Sequence, residues 1–181
     1  MYLQEIRGFD LFDANLFIFI NTVAGILGCV AYGFLSDKIF ESRRPPANLI
    51  FGLLEVVPLL VVFYGPTNNV VLAIALVVYG FGLSGILASL GGLFAIDVAP
   101  RKVAGAAMGF IGIFSYMGAG MQDYISGKLI SASEIKVVFT IGSDTTTVNF
   151  YDYSAPIIFW IGASVVSMLL AASLWKVRTR D

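Results

Sequence analysis

Between Asp13 and Asp37 the chain carries no charged side chain. A run of that length, spanning residues 14–36, is long enough to cross a bilayer core as a helix, which takes roughly 20 apolar residues. The same feature recurs along the sequence. A second candidate span runs from about Ala47 to Tyr64 and holds one charge, Glu55. Gly65-Pro66-Thr67-Asn68-Asn69 has turn composition, and a third span follows from Val70 to Ile96. A polar break at residues 97–102 leads to a fourth span from Val103 to about Gln122. The fifth runs from Tyr153 to Trp175 and is ended by Lys176, Arg178 and Arg180. The expected fold class is therefore an all-α integral membrane protein with five transmembrane helices. Composition agrees: 58% of the 181 residues are hydrophobic and only 13% are charged, about half the charge of a soluble domain.

The segment Ile130 to Asp152 has a different pattern. Lys136–Ile141 and Thr145–Phe150 are rich in β-branched and aromatic residues, with Gly142-Ser143-Asp144 between them. This predicts a small β-hairpin, with a disordered loop as the alternative. Open strand edges are not tolerated in lipid, so the segment lies outside the membrane. The chain thus divides into an outer segment at 1–13, a four-helix portion at 14–129, the hairpin at 130–152, and a last helix with its tail at 153–181.

Orientation follows from the basic residues in the connections. One side collects Lys38, Arg43, Arg44, Arg101, Lys102, Lys176, Arg178 and Arg180; the other has Arg7, Lys128 and Lys136. The expectation is a multi-pass protein of the cell (inner) membrane, with the C-terminus cytoplasmic and the hairpin outside. The start, MYLQEIRGFD, lacks the pattern of a signal peptide. The net charge of −1 gives no reason to expect a nucleic-acid partner. Histidine is absent and Cys29 is the sole cysteine, so no metal-binding or cofactor-binding pattern is seen. No nucleophile–base arrangement occurs within a span, so an enzyme is not expected.

The densest charge lies in GFLSDKIFESRRPP, residues 33–46, between the first two spans. Its carboxylate and guanidinium groups can pair with each other or with a helix end. Pairs that form in one conformation and break in another bias a gate; a solvated, positively charged loop is the alternative. Gly33 is expected to permit close helix approach, Asp37 to end the span, and Arg43-Arg44-Pro45-Pro46 to close the loop. Among the span residues, Glu55 is the one ionisable group deep in a helix. A charge there costs about 2.5–3.5 kcal/mol on insertion scales, so it either lines a transport path, carries a proton, or makes a structural hydrogen bond. Pro58 frees a backbone carbonyl nearby. Tyr116 and Asp123 share one face of the fourth span, the most polar one, and are candidates for the lining of a solute path, with Asp123 as the outer helix end paired with Lys128 as the alternative. Asn21 and Thr22 are placed to hydrogen-bond substrate or another helix. Gly105, Gly109 and Gly112 form a small-residue pattern for helix packing, and glycines crowd the third span at 80, 82, 85, 91 and 92. Trp175 has the position of an interface anchor; Trp160, deeper in the span, is expected to pack.

The pattern Gly33, Leu35, Ser36, Asp37, Phe40, Arg43, Arg44 resembles the signature loop of the major facilitator superfamily. Residues 97–118, DVAPRKVAGAAMGFIGIFSYMG, resemble the region between the tenth and eleventh helices of the organophosphate:phosphate antiporters, whose members include glycerol-3-phosphate and hexose-phosphate transporters and related sensors. The resemblance implies that the five spans match helices eight to twelve of a twelve-helix fold built from inverted repeats. On this registration the counterparts of helices one to seven, and the phosphate-gripping arginines they bear, are missing. The implied function is the C-terminal part of a carrier exchanging an organophosphate for inorganic phosphate by alternating access. A membrane sensor of external hexose phosphate and a truncated, non-transporting product are the alternatives. The implied partners are the lipid bilayer, the missing N-terminal half, and organophosphate and phosphate as substrates.

Overall fold

The computed structural model describes residues 2–41, 43–66, 68–100, 102–141 and 144–173. Five of its helices are long and apolar enough to cross a membrane. A short helix, α1 (Tyr2–Glu5), leads into α2 (Leu11–Phe34). The chain continues through a π-helical turn at Leu35–Ile39, so Asp37 does not end the helix as the sequence suggested. Glu41, in the left-handed region at φ 51°, turns the loop. The next helix, α3 (Arg44–Tyr64), has prolines in its first turn, where their missing N–H is no loss. Next come α4 (Asn69–Ala88), a second π-helical turn at Ser89–Leu93, and α5 (Phe94–Val98). The structure ends with α6 (Ala104–Ala132), β1 (Glu134–Ile141), β2 (Asp144–Tyr151) and α7 (Ser154–Ser173).

The strands pair antiparallel, from Glu134 with Tyr151 to Ile141 with Asp144. The hairpin foreseen in the sequence is present, but Asp144, expected between the strands, belongs to the second of them. The first strand starts at Glu134, two residues before the expected Lys136, and directly follows α6, which runs ten residues past Gln122. Asp123 and Lys128 do not stop it. Lys128 lies over the Tyr124 ring at 5.0 Å, an i,i+4 contact on the helix surface, and makes no ion pair with Asp123. The hairpin's base is closed by Asp152 N–H donating to the Ser133 carbonyl at 3.3 Å.

Glycine sets how closely the helices pack. The face of α2 bearing Gly25 and Gly28 meets the face of α4 bearing Gly80, and α3 packs on α4 at Gly82 and Gly85. A Cβ at Gly82 would stand 2.7 Å from the Leu54 carbonyl carbon and 2.9 Å from the Glu55 nitrogen. Pro58 supplies no N–H to the Leu54 carbonyl, so α4 crosses α3 where that helix's own ladder is interrupted. A cluster of Tyr32, Ala47 and Phe51 seals this junction, with the Tyr32 and Phe51 rings edge to face at 5.1 Å.

Gly33, Gly105, Gly109 and Gly112 have no atom within 4 Å of where a Cβ would stand. Their expected packing role is not met among the described residues; Gly25 and Gly28 perform it on α2, and Gly80, Gly82 and Gly85 on α4. The central stretch of α6 is unburied, and its outer part is joined to α7 by the Trp160 Nε1–H donating to Ser126 Oγ at 2.8 Å. Trp160 also stacks on Phe63, so it packs as expected. Arg101, Lys176, Arg178 and Arg180, used above for orientation, and Trp175, expected as an interface anchor, lie outside the described residues.

Candidate functional site

At the end of the bundle where α2 joins α3 (the loop end), the two π-helical turns and the start of α3 converge. A π turn adds a residue to one helical turn and so re-aims the side chains after it. Here the two turns bring Ser36, Asp37 and Ser89 toward α3. Arg44 is 5% exposed and occupies the centre. Its Nη1 donates to Ser36 Oγ at 2.8 Å and to Asp37 Oδ1 at 2.9 Å. Its Nε and Nη2 donate to the two Asp97 carboxylate oxygens at 2.6 and 3.3 Å. This is a bidentate fork, a geometry that guanidinium offers and ammonium does not. One residue of α3 thus ties the end of α2 to α5, beyond the end of α4. Behind it, the fully buried Tyr32 hydroxyl lies 2.5 Å from Asn48 Oδ1 and 2.8 Å from Ser89 Oγ. Its single proton goes to the amide oxygen, and it accepts from the serine.

The sequence reading placed Asp37 and Arg44 in one loop with Arg43. The structure joins the first two, while Arg43 is exposed at the helix N-cap and makes no side-chain contact among the described residues. Asp97, whose sequence position marks only a polar break, is the principal partner. Nothing in its spacing reports that a carboxylate 53 residues away completes the fork.

The mid-span candidates separate. Glu55 Oε1 accepts from Ser164 Oγ at 2.9 Å, joining α3 to α7 beside Tyr79, Gln122 and Trp160 in a cavity of about 480 Å³. Asn21 packs against Gly80 and its Oδ1 has no hydrogen-bond partner, so it belongs to the α2–α4 contact and lies away from Glu55. Thr22 donates to the Ile18 carbonyl of its own helix at 2.9 Å, and Cys29 Sγ to the Ser84 carbonyl at 3.2 Å. Tyr116 is 83% exposed on an open cleft between α6 and the α4 end, lined also by Gly109 and Gly112. Asp123 is exposed on the same helix. Four candidates therefore fall in three places. Among the described residues, no cluster of acidic or sulfur side chains could hold a metal.

The opposite, hairpin end carries a clamp that sequence reasoning missed. Arg7 donates to the carbonyls of Val62, Phe63 and Gly65, satisfying the acceptors that the C-terminus of α3 leaves open. The Tyr153 hydroxyl donates to Glu5 Oε2 at 2.9 Å. Burial, and then the Glu5 carboxylate it serves, push the Tyr153 phenol up to about 12. The helix begins at Ser154, so Tyr153 stands just outside the span. A raised folded value means the contribution is complete below the ordinary phenol value near 10 and is lost as pH rises through about 12. Alkaline titration of the wild type should therefore loosen the N-terminal segment within that window. Tyr153→Phe should already be loose at neutral pH and show no such step, as read by proteolysis of residues 1–10.

The sequence pattern of the Major Facilitator Superfamily matches residues 1–122. The chain is 41% identical over 118 residues to a glycerol-3-phosphate transporter of Bacillus subtilis (strain 168), covering 65% of this chain and 26% of that protein. It is 33% identical over 133 residues to the membrane sensor protein UhpC of Escherichia coli (strain K12), covering 72% and 30%. Against a probable hexose phosphate transport protein of Chlamydia pneumoniae the identity is 33% over 131 residues, covering 71% and 29%. The chain spans between about a quarter and a third of the length of these relatives. With the signature loop folded around Arg44 on a bundle of apolar helices, and well over half the sequence matching, the chain belongs to the Major Facilitator Superfamily.

Proposed function

We propose that this chain is the C-terminal part of a membrane carrier that exchanges an organophosphate, either a sugar phosphate or glycerol phosphate, for inorganic phosphate by alternating access. The observation that carries the gating part is Arg44, buried and forked onto Asp97 while also bonded to Asp37. In this arrangement the ends of α2, α3 and α5 are held together. An opposite-facing state needs them to separate, and a set of charge-assisted bonds that can open and reclose biases which state is populated. The loop end is cytoplasmic in this reading, supported by Lys38, Arg43 and Lys102 there.

The solute class is supported by relatives named for glycerol-3-phosphate and hexose phosphate transport. Among the described residues, each arginine bound within the bundle is already engaged: Arg7 by carbonyls, Arg44 by carboxylates. The phosphate is therefore held by groups that the N-terminal half supplies. The unburied middle of α6, with Tyr116 and Asp123 on it, faces that half across the solute path. The sensor reading is favoured by the relative named as a membrane sensor and by the hairpin, a feature on the outer side suited to a partner contact.

The experiment begins with an antibody against the hairpin, which fixes the length of the protein in native membranes. Vesicles from those membranes are then loaded with labelled phosphate and challenged with glycerol-3-phosphate or a hexose phosphate. Exchange that Arg44→Ala abolishes supports the carrier. Saturable binding without exchange supports the sensor. Neither, with a band near 19.5 kDa, leaves a truncated product and overturns both.

A further inference from the structure

Glu55 lies midway along α3 and Ser164 midway along α7, so their 2.9 Å hydrogen bond sits at the centre of the membrane span. Two cavities meet at this pair. The larger, about 480 Å³, runs toward the hairpin end past Leu59, Tyr79, Gln122 and Trp160, and Leu3 of α1 lines its far part. The smaller, about 150 Å³, runs toward the loop end past Asn48, Gly52, Ser167 and Met168. Glu55 and Ser164 line both and form the partition between them. A water needs roughly 10–15 Å³ of such space and a few polar partners. Asn48 and Ser167 on one side, and Tyr79 and Gln122 on the other, supply those partners.

The chemistry of the partition restricts what it can take. Among the described residues, no lysine or arginine lines either cavity, so an anion meets a carboxylate with no counter-charge. Phosphate is excluded from this place on that ground. A metal cation is poorly served, because hard cations require about six or more oxygen ligands and the pair offers a single carboxylate and a hydroxyl. A proton needs one carboxylate oxygen and a water to come from.

We propose that Glu55 is a proton-exchange site reached from both cavities. A hydronium in one cavity gives its proton to a Glu55 oxygen and becomes water. The resulting carboxylic acid gives the same proton to a water in the other cavity and returns to carboxylate. Ser164 holds Oε1 and keeps the carboxyl on the partition, acting as a positioning residue. Among the described residues, Tyr79 on α4 is the other ionisable group lining these cavities; α6 presents Gln122, and α7 presents Ser164 and Trp160, none of which titrates there. The site is separate from the Arg44 network and does not depend on which solute the protein carries.

The test uses the full chain in liposomes with a trapped pH-sensitive dye and a potassium diffusion potential, together with infrared spectra over a pH titration. The expected result is proton flux above that of protein-free liposomes, lost in Glu55→Gln and kept in Tyr64→Phe, at a tyrosine of the α3 end that is not among the residues lining the two cavities. The carboxyl band should titrate reversibly, vanish in Glu55→Gln, and shift in frequency in Ser164→Ala. Glu55→Gln keeps the size and the acceptor oxygen for Ser164, so the fold is retained. Should that variant fail to insert, Ser164→Ala decides alone, and an unmoved carboxyl band overturns the proposal. Flux equal to that of empty liposomes, flux indifferent to Glu55→Gln, or a Glu55 band constant across pH overturns it too. Loss of solute exchange leaves these readouts untouched, so this proposal and the carrier reading fail separately.

Discussion

Arg44→Ala should destabilise the bundle by about 3 kcal/mol, toward the low end of the roughly 3–5 kcal/mol that follows removal of one partner from a buried ion pair. Arg44 leaves two carboxylates behind, and they are not equivalent. The Asp37 side chain is 53% exposed and the Asp97 side chain 18%. Water resolvates Asp37, so its arm of the network contributes at most about 1 kcal/mol. Asp97 is left partly buried without its fork, and most of the loss falls there. Asp97→Asn should consequently cost clearly more than Asp37→Asn. Arg44→Lys should recover only part, because an ammonium reaches one Asp97 oxygen and gives up the parallel second bond. The double variant Arg44→Ala/Asp97→Asn should be less damaging than the sum of the singles, since the stranded charge is gone. Unfolding in mixed micelles, with helix loss as the signal, reads all five. Equal losses for Asp37→Asn and Asp97→Asn would mean that the fork is not the seat of the stabilisation.

The legible part of this molecule was what hydrophobic length dictates. Five spans, the polar break at 97–102 and the hairpin could be read because each depends on local composition alone. The end of α6 was read less well for the same reason. The fourth span was ended at about Gln122, before the charge of Asp123, yet a helix of this length (29 residues) rises about 1.5 Å per residue. It thus extends beyond a hydrocarbon core of roughly 30 Å, and its charged turns stand clear of lipid. Asp37 was misread in a related way: the chain absorbs it in a π-helical turn. That feature leaves no periodic trace in sequence, yet it aims Ser36 and Asp37 at Arg44. The site itself was half legible. Asp37 and Arg44 are close along the chain, whereas Asp97, Ser89 and Ser164 reach their partners through folding. Glu55 stood out because a lone charge in an apolar run is anomalous. Ser164, its partner, is one of several serines in spans and carries no mark of its own.

Glycine substitutions should divide sharply by location, and this is the second large effect expected. A methyl at Gly28 would stand 2.8 Å from the Phe81 carbonyl carbon and 2.9 Å from its Cα. Both are backbone atoms of α4, so no rotamer change relieves the contact and the helices must separate. Overpacking of this kind costs about 1–3 kcal/mol. Here the upper end is expected, because separating α2 from α4 also strains the Tyr32–Ser89 hydrogen bond further along the same junction. Gly25→Ala should be milder, since its tightest neighbour is the Ser84 hydroxyl, a side chain that can rotate away. Gly105→Ala, Gly109→Ala and Gly112→Ala should leave the stability of this chain alone unchanged, or raise it slightly through better helix propensity, because nothing lies near them. The same three substitutions discriminate what covers α6. If the N-terminal half packs against that face, they weaken assembly of the two halves while leaving this chain's own unfolding untouched. If lipid covers it, they do neither. Co-purification of separately tagged halves, with unfolding of the 181-residue chain as the reference, separates the cases. An equal loss at Gly28 and Gly109 in the isolated chain would mean that α6 packs against the bundle as closely as α2 packs against α4, contrary to the open face it presents.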